Sequence, residues 1–233
     1  MKSSASPLKL ICVHTGAIHV ETFRPLLTAL DASVAQDHVV RIDWLDRART
    51  DVAALGHMSP ELQAEIAAEL TRLSAAADAV LCTCTTLGPV VDDVAALNSK
   101  VLRIDRPMMD RAANHDGTIV VAMCLESTRA PTLAALEAAR QKFARDNKVA
   151  VIMCADAWPH FEAGDKSAFS RVVAGKIAHD LKAIANPACI VLAQASMADA
   201  AAQLQELAIP VYASPHLAAE AVVAVARQHA NLP

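Results

Sequence analysis

Cys84 is the residue of this chain whose type and position are best suited to chemistry. It ends an apolar run that begins at Ala79, and the hydroxyl residues Thr85 and Thr86 lead from it into a probable helix. Open α/β sheets place their chemistry where strands give way to helices in this manner. Backbone N–H groups and the positive end of a helix both favour the thiolate form of a cysteine at such a point. The pattern therefore predicts a functional thiol at the carboxyl end of a strand.

Other predicted strand ends also carry polar side chains. His14 and Thr15 follow the first apolar run, and Gln194 ends a later run whose shape is similar to that of the Cys84 run but which has no cysteine. If the sheets are parallel, these ends share the carboxyl edges, where hydroxyl and free N–H groups could hold a carboxylate. Ordinary turns and caps use the same hydroxyl residues, so that interpretation stays open. The further candidates for the carboxylate cradle are Ser127, Thr128, Ala195 and Ser196.

The remaining cysteines and histidines are more typical of structural roles. Cys82 lies within the strand, where a small apolar thiol is expected in the core. The Cys82–Cys84 pair has no second pair with ligand spacing, so we expect no metal. A lone histidine is more often structural than catalytic, and only His14 and His160 are candidates for a direct role.

Composition limits the class of protein. The chain has 233 residues, of which 54% are hydrophobic and 20% charged, with a formal net charge of −4. No strongly basic stretch appears, so nucleic acid and anionic membranes are not expected as partners. Without a secretory signal or an apolar run long enough to span a membrane, we expect a soluble, cytoplasmic protein. Its six cysteines lie mostly in apolar runs, which is typical of reduced, buried thiols.

Short aliphatic runs alternate with helical patterns along the whole chain. The runs do not alternate between apolar and polar residues, which favours strands buried on both faces. Ser59, Pro60 and Glu61 are a helix start signal, and further amphipathic helices are predicted from about residue 131, from about residue 169 and near the C-terminus. This alternation predicts an α/β fold with parallel sheets in two doubly wound units, with a boundary within 111–117. The predicted strands are 8–13, 38–43, 79–84, 100–105, 118–124, 148–154, 188–194 and 209–212.

Two segments resemble motifs of the cofactor-independent aspartate/glutamate/hydantoin racemase superfamily. Residues 79–86 read A-V-L-C-T-C-T-T where glutamate racemases carry a motif of the type A-L-V-V-A-C-N-T, and Cys84 falls on the catalytic cysteine. Residues 190–199 read I-V-L-A-Q-A-S-M-A-D where hydantoin racemases carry V-V-L-G-C-A-G-M-A-D, and Gln194 takes the place of the second cysteine. Residues 127–132 are similar to the hydroxyl-rich third loop of the family.

The resemblance implies an architecture and a class of ligand. It implies two Rossmann-like lobes, each a mostly parallel sheet flanked by helices, related by pseudo-twofold symmetry with the active site between them. The first lobe would comprise residues 1–110 joined by the C-terminal segment 211–233, and the second lobe residues 111–210. A small carboxylate-containing substrate, no cofactor and a possible homodimer are implied as well.

The single thiol leaves several functions open. In two-cysteine relatives one thiolate removes a proton from the carbon next to a carboxylate and the other thiol returns one, which the carboxamide of Gln194 cannot do. Cys84 could therefore racemise or isomerise a substrate together with His14 or His160, or protonate the carbanion left by loss of carbon dioxide, similar to arylmalonate decarboxylases. It could instead add covalently to an activated double bond, as in maleate isomerases. A protein that binds a carboxylate without catalysis is the alternative from another class.

Overall fold

The computed structural model describes residues 7–230, which form two four-stranded parallel sheets. Every strand pair is parallel, and the two sheets have the same order, β2-β1-β3-β4 and β6-β5-β7-β8. The predicted α/β class is confirmed, and each of the eight predicted strands overlaps a strand of the structure. The strands are β1 (Lys9–His14), β2 (Ala35–Val40), β3 (Ala79–Cys82), β4 (Val101–Arg103), β5 (Thr118–Met123), β6 (Lys148–Met153), β7 (Pro187–Leu192) and β8 (Val211–Ala213).

Helices connect successive strands, and within each sheet they form the crossover connections that parallel strands need. Within residues 7–230, none of them is both long and apolar enough to cross a membrane. Four segments are 3₁₀-helical, namely Thr85–Leu87, Ala155–Ala157, Leu181–Ala183 and Ala195–Leu207. The α-helices are α1 (Ile18–Leu30), α2 (Ile42–Leu55), α3 (Pro60–Ala75), α4 (Gly88–Leu97), α5 (Arg106–Ala113), α6 (Glu126–Lys142), α7 (Trp158–Glu162), α8 (Lys166–Asp180) and α9 (Ser214–His229).

The second strand lies earlier in the chain than the predicted 38–43. β2 begins at Ala35, and α2 already begins at Ile42. The reason is the position of β2 at the edge of its sheet, where it pairs with β1 alone among the described strands. An edge strand buries less of its surface, so it tolerates polar residues such as Gln36 and Asp37, which the aliphatic pattern did not include.

The start of α3 is at the predicted place, although the serine does not cap it. Pro60 occupies the first turn, and Leu62 and Ile66 are fully buried on the predicted apolar face. The hydroxyl of Ser59 donates a hydrogen bond to the Asp51 carboxylate over 2.6 Å and makes no capping bond to the helix. Proline and the apolar stripe therefore define this helix start.

The chain divides into two compact units, one up to Ile104 together with the segment from Ala218 onward, the other from Asp105 to Leu217. The predicted division after residue 110 falls inside α5. That helix packs as a whole on the second sheet, because Met108 and Met109 lie in the same buried cluster as Val121 of β5. The predicted return to the first unit at residue 211 also comes later in the structure, since β8 pairs with β7 of the second sheet.

β3 is the strand that carries Cys84, and it is buried on both faces. Its four residues, 79–82, are inaccessible to solvent. On one face Val80 and Cys82 pack in the cluster that contains Ile66 and Leu70 of α3. Burial of this kind holds the strand rigidly, so the position of its carboxyl end is well defined.

Candidate functional site

Cys84 lies just beyond the carboxyl end of β3, in the first unit. Val13 of β1 pairs with Cys82 of β3. Two residues beyond each of these positions, Thr15 therefore lies opposite Cys84. Cys84 precedes the 3₁₀ turn Thr85–Leu87, which leads directly into α4. The strand-to-helix setting predicted for this thiol is therefore present.

Hydrogen-bond donors surround the sulfur of Cys84. The hydroxyl groups of Thr15 and Thr86 bond to it, as do the backbone N–H groups of Thr86 and Leu87. Burial raises the pKa of the Cys84 thiol and outweighs these four contacts, each of which lowers it. The sequence predicted donors that favour the thiolate; the structure contains them, but desolvation has the larger effect. The resting group is therefore a thiol, and donors are already in place for the negative charge left when its proton departs.

Arg103 fixes the start of α4 beside this thiol. Its guanidinium is nearly inaccessible, with 4% of the side chain exposed, and it pairs with Asp92 of α4 at 2.5 Å. Gly88, the first residue of α4, lies directly against that guanidinium: a Cβ on Gly88 would lie 2.5 Å from the Cζ atom of Arg103. This close approach holds the first turn of α4, and with it the preceding N–H groups, in one position.

His14 lies in the same unit but is directed to other partners. Its Nδ1 is 2.8 Å from the hydroxyl oxygen of Thr83, and its Nε2 is 2.9 Å from Nδ1 of His38. Burial, with smaller contributions from His38 and His19, lowers the pKa of His14 to about 3. The ring is thus neutral near pH 7, and both of its nitrogens are engaged by groups other than Cys84. These contacts favour a structural role for His14 over the acid–base role expected from the sequence.

Gln194 occupies the equivalent position in the second unit. Ala122 of β5 pairs with Leu192 of β7, which places Cys124 opposite Gln194. The Oε1 atom of Gln194 accepts hydrogen bonds from the backbone N–H groups of Cys124, at 2.6 Å, and Leu125, at 3.2 Å. Because both partners are donors, the orientation of the carboxamide is fixed, with its NH₂ group directed away from them. The side chain of Gln194 therefore accepts hydrogen bonds from a pair of N–H groups that could otherwise bind an anion.

The other predicted residues also lie at strand ends. Thr85, in the turn after Cys84, is buried. In the second unit Ser127 and Thr128 lie in the first turn of α6, and Ala195 and Ser196 begin the 3₁₀ segment after Gln194. The structure thus places the predicted residues in two groups, one at the carboxyl edge of each sheet. His160 lies in α7, partly buried.

Two neighbours of His14, namely Cys12 and His38, were not predicted from the sequence as site residues. One donor atom from each of the three residues lies within 4.8 Å of the others. The signal was a Cys-x-His pair in one strand facing a histidine in the next. It could not be recognised while the second strand was assigned to residues 38–43, because that assignment places His38 at the beginning of the strand rather than opposite Cys12.

The comparisons with known proteins concern the fold. No family model matches the sequence, and no curated protein matches it. Among solved structures, glutamate racemase from Francisella tularensis is similar, with 14% identity, a TM-score of 0.71 and coverage of 97% of this chain and 83% of that one. Aspartate racemase from Picrophilus torridus has 11% identity, a TM-score of 0.64 and coverage of 95% and 97%. A mutant of arylmalonate decarboxylase in its sulfate-associated form has 12% identity, a TM-score of 0.57 and coverage of 94% and 93%. This chain therefore has the same α/β fold as these racemase and decarboxylase structures, which is the fold that the resemblance of its two short motifs implied.

Proposed function

We propose that this protein is a cofactor-independent enzyme of the Asp/Glu racemase superfamily. It would transfer a proton at the carbon next to a carboxylate of a small substrate, with Cys84 as the acid–base group. The observation that carries the proposal is the setting of Cys84: a buried thiol at the end of a central strand, held by two hydroxyl and two N–H groups. The fold and the ungapped motif over residues 79–86 add support.

The proposed chemistry follows from the donors around the sulfur. When the Cys84 thiol gives its proton to a carbanion next to a carboxylate, the contacts from Thr15, Thr86 and Leu87 stabilise the resulting thiolate. In the reverse direction the thiolate removes the proton from that carbon. Thr85 and Thr86 are proposed to bind the substrate carboxylate or the enediolate formed from it.

Racemisation or isomerisation requires a second group that exchanges a proton. Gln194 is unable to serve, because a carboxamide does not ionise near neutral pH and its oxygen is held by two backbone N–H groups. His14 is neutral and has both nitrogens engaged. Of the residues predicted for this task, His160 remains the candidate second acid–base group.

Decarboxylation of a substituted malonate-type acid is the second candidate, and the state of Cys84 favours it. Burial raises the pKa of the thiol, so the resting enzyme holds a proton to give and not a base. In this reaction the bond to one carboxylate breaks, carbon dioxide leaves, the carbanion takes the proton from Cys84, and solvent reprotonates the thiolate. One thiol is sufficient for that sequence.

Incubation in heavy water with amino acids, hydantoins, hydroxy acids and substituted malonates, followed by NMR, tests the proposal. Deuterium at the α-carbon without loss of carbon dioxide indicates racemase-like chemistry, and release of carbon dioxide with one deuterium in the product indicates decarboxylation. Cys84→Ala should abolish either reaction. Cys82→Ala is the matched control, because it removes a buried thiol from β3, the strand that leads to Cys84.

Two results would contradict the proposal. If Cys84→Ala turns over every substrate as fast as the wild type, Cys84 is not the acid–base group. Thermal stabilisation by a carboxylate without any exchange or turnover would instead identify a carboxylate-binding protein without catalysis.

A further inference from the structure

Cys12, His14 and His38 come together because of strand register. β1 and β2 are parallel, and Cys12 pairs directly with His38. Side chains two residues apart on a strand share a face, so His14 lies on the same face as Cys12. One donor atom from each residue lies within 4.8 Å of the others, and Cys12 and His14 are inaccessible to solvent. A thiol and two imidazoles at such distances match the donor set of a zinc site.

The hydrogen bonds of His38 leave one of its ring nitrogens free to act as a ligand. The Nε2 group of Gln36 donates to the hydroxyl oxygen of Thr28 at 2.9 Å, and that hydroxyl donates to the carbonyl of Arg24. The Oε1 atom of Gln36 is therefore the atom that faces His38, and it accepts from the Nε2–H group over 3.0 Å. In a neutral imidazole this leaves a lone pair on Nδ1 of His38, on the side of His14.

His14 can present its inner nitrogen as well, without losing a buried hydrogen bond. When the proton lies on Nε2 of His14, that N–H group donates to His38, and Nδ1 accepts from the Thr83 hydroxyl. With the proton on Nδ1 instead, the ring donates to the oxygen of Thr83, whose own hydrogen then goes to the carbonyl of Val13 at 3.2 Å. Either tautomer is therefore satisfied. Outer nitrogens held by oxygen atoms in this way are the arrangement that orients histidine ligands around a metal.

We propose that Cys12, His14 and His38 bind one divalent transition-metal ion, with Zn²⁺ as the best match to one thiolate and two imidazoles. The two facing nitrogens are 2.9 Å apart; tetrahedral zinc needs about 3.3 Å, so a shift of a few tenths of an ångström is enough. Binding displaces one proton, from the Cys12 thiol to solvent, and a water completes the coordination. His38 is partly exposed on the edge strand, which provides a route for the ion.

The consequence would be structural. The ion would join β1 to β2 directly before Thr15, one of the residues that contact Cys84. The inference does not depend on the proposed reaction, since neither the donor set nor its geometry involves Cys84.

A zinc-retention experiment tests the site directly. The full-length chain, without an affinity tag and after treatment with a chelator, is incubated with zinc sulfate, desalted and analysed for metal by mass spectrometry. We expect one zinc ion per chain in the wild type and none in Cys12→Ala or His38→Ala. Cys189→Ala removes an equally buried strand thiol outside the group and should retain zinc like the wild type, as should His179→Ala. Equal retention by Cys12→Ala and Cys189→Ala, or no retention by the folded wild type, would overturn the proposal.

Cobalt substitution gives a second measurement that depends on no variant. Co²⁺ bound by a thiolate and imidazoles in tetrahedral geometry has an intense thiolate-to-metal charge-transfer band in the near ultraviolet and strong visible bands. We expect both in the wild type, with displacement by an equimolar amount of Zn²⁺. A weak, octahedral cobalt spectrum without the charge-transfer band would refute the site even if the ligand variants failed to fold.

Discussion

Substitution of Gly88 by alanine tests how the start of α4 is held beside Cys84. The backbone of Gly88 is right-handed helical, with φ −48° and ψ −46°, so alanine fits its conformation. In an open helix such a change stabilises a protein by about 0.5–1 kcal/mol. Here the structure predicts the opposite sign, because the new methyl group would meet the guanidinium of Arg103.

The magnitude follows from what Arg103 would have to give up. The methyl carbon would lie 2.5 Å from Cζ of Arg103, well inside van der Waals contact. The guanidinium is only 4% exposed, so it can yield only by weakening its ion pair with Asp92 or by displacing α4. Overpacking of this kind typically costs about 1–3 kcal/mol. After the helix gain, we expect the free energy of unfolding to fall by about 1–2 kcal/mol.

Urea unfolding followed by circular dichroism measures this change. Gly175→Ala is the matched control, because Gly175 lies within α8. Apart from the backbone of its own helix, a methyl group added there would meet no heavy atom within 4 Å. This substitution should stabilise the protein by about 0.5–1 kcal/mol. In an Arg103→Met background the cost of Gly88→Ala should largely disappear. If Gly88→Ala were as stabilising as Gly175→Ala, or if its cost persisted without the guanidinium, the reasoning would be refuted.

Three further predictions concern the thiol, the amide and the buried imidazole. Iodoacetamide should alkylate Cys84 more slowly than a free cysteine at pH 7, with a rate that rises only in strongly alkaline solution, because burial raises its pKa; fast labelling at pH 7 would contradict this. Gln194→Met leaves two buried backbone N–H groups without a partner and should lower the free energy of unfolding by about 1–3 kcal/mol in urea titrations, whereas Gln203→Met, at an exposed position, should be nearly neutral. In the chelator-treated, metal-free protein the pKa of His14 is lowered from 6.5 to about 3, so its contribution to stability is complete above pH 6.5 and is lost as the pH falls, by about 3 kcal/mol at pH 4. His14→Gln should flatten that part of the pH–stability curve, and an unchanged slope would show that another group is responsible.

The fold was predictable because the central strands of both sheets are largely buried on both faces. Residues 79–82 form a continuous apolar run whose only stable place is inside a parallel sheet, and the helix after Pro60 has a clear apolar stripe. β2 was placed too late, because Gln36 and Asp37 lie on an edge strand, where apolar patterning is weak.

The site was predictable in position but not in its electrostatic balance. Strand-to-helix patterning located Cys84, since backbone geometry alone decides where such a residue emerges. Whether the pKa of Cys84 is raised or lowered depends on how completely the surrounding chain excludes water, which is a property of tertiary packing. Likewise, the contact of Gln194 with Cys124 depends on the register of β5 with β7, and no local sequence signal specifies that register.

The identical order of the two sheets gives each candidate site position a counterpart. Cys84 and Gln194 both stand two residues beyond the third strand of their sheet, opposite Thr15 and Cys124 respectively. The same strand arrangement is thus present in both units with a different side chain at this position. In the first unit hydrogen-bond donors hold the sulfur of Cys84, and in the second unit they hold the amide oxygen of Gln194. Each copy can serve as an internal reference for the other. An exchange of occupants, such as Gln194→Cys, would separate what the repeated frame contributes from what a single side chain contributes.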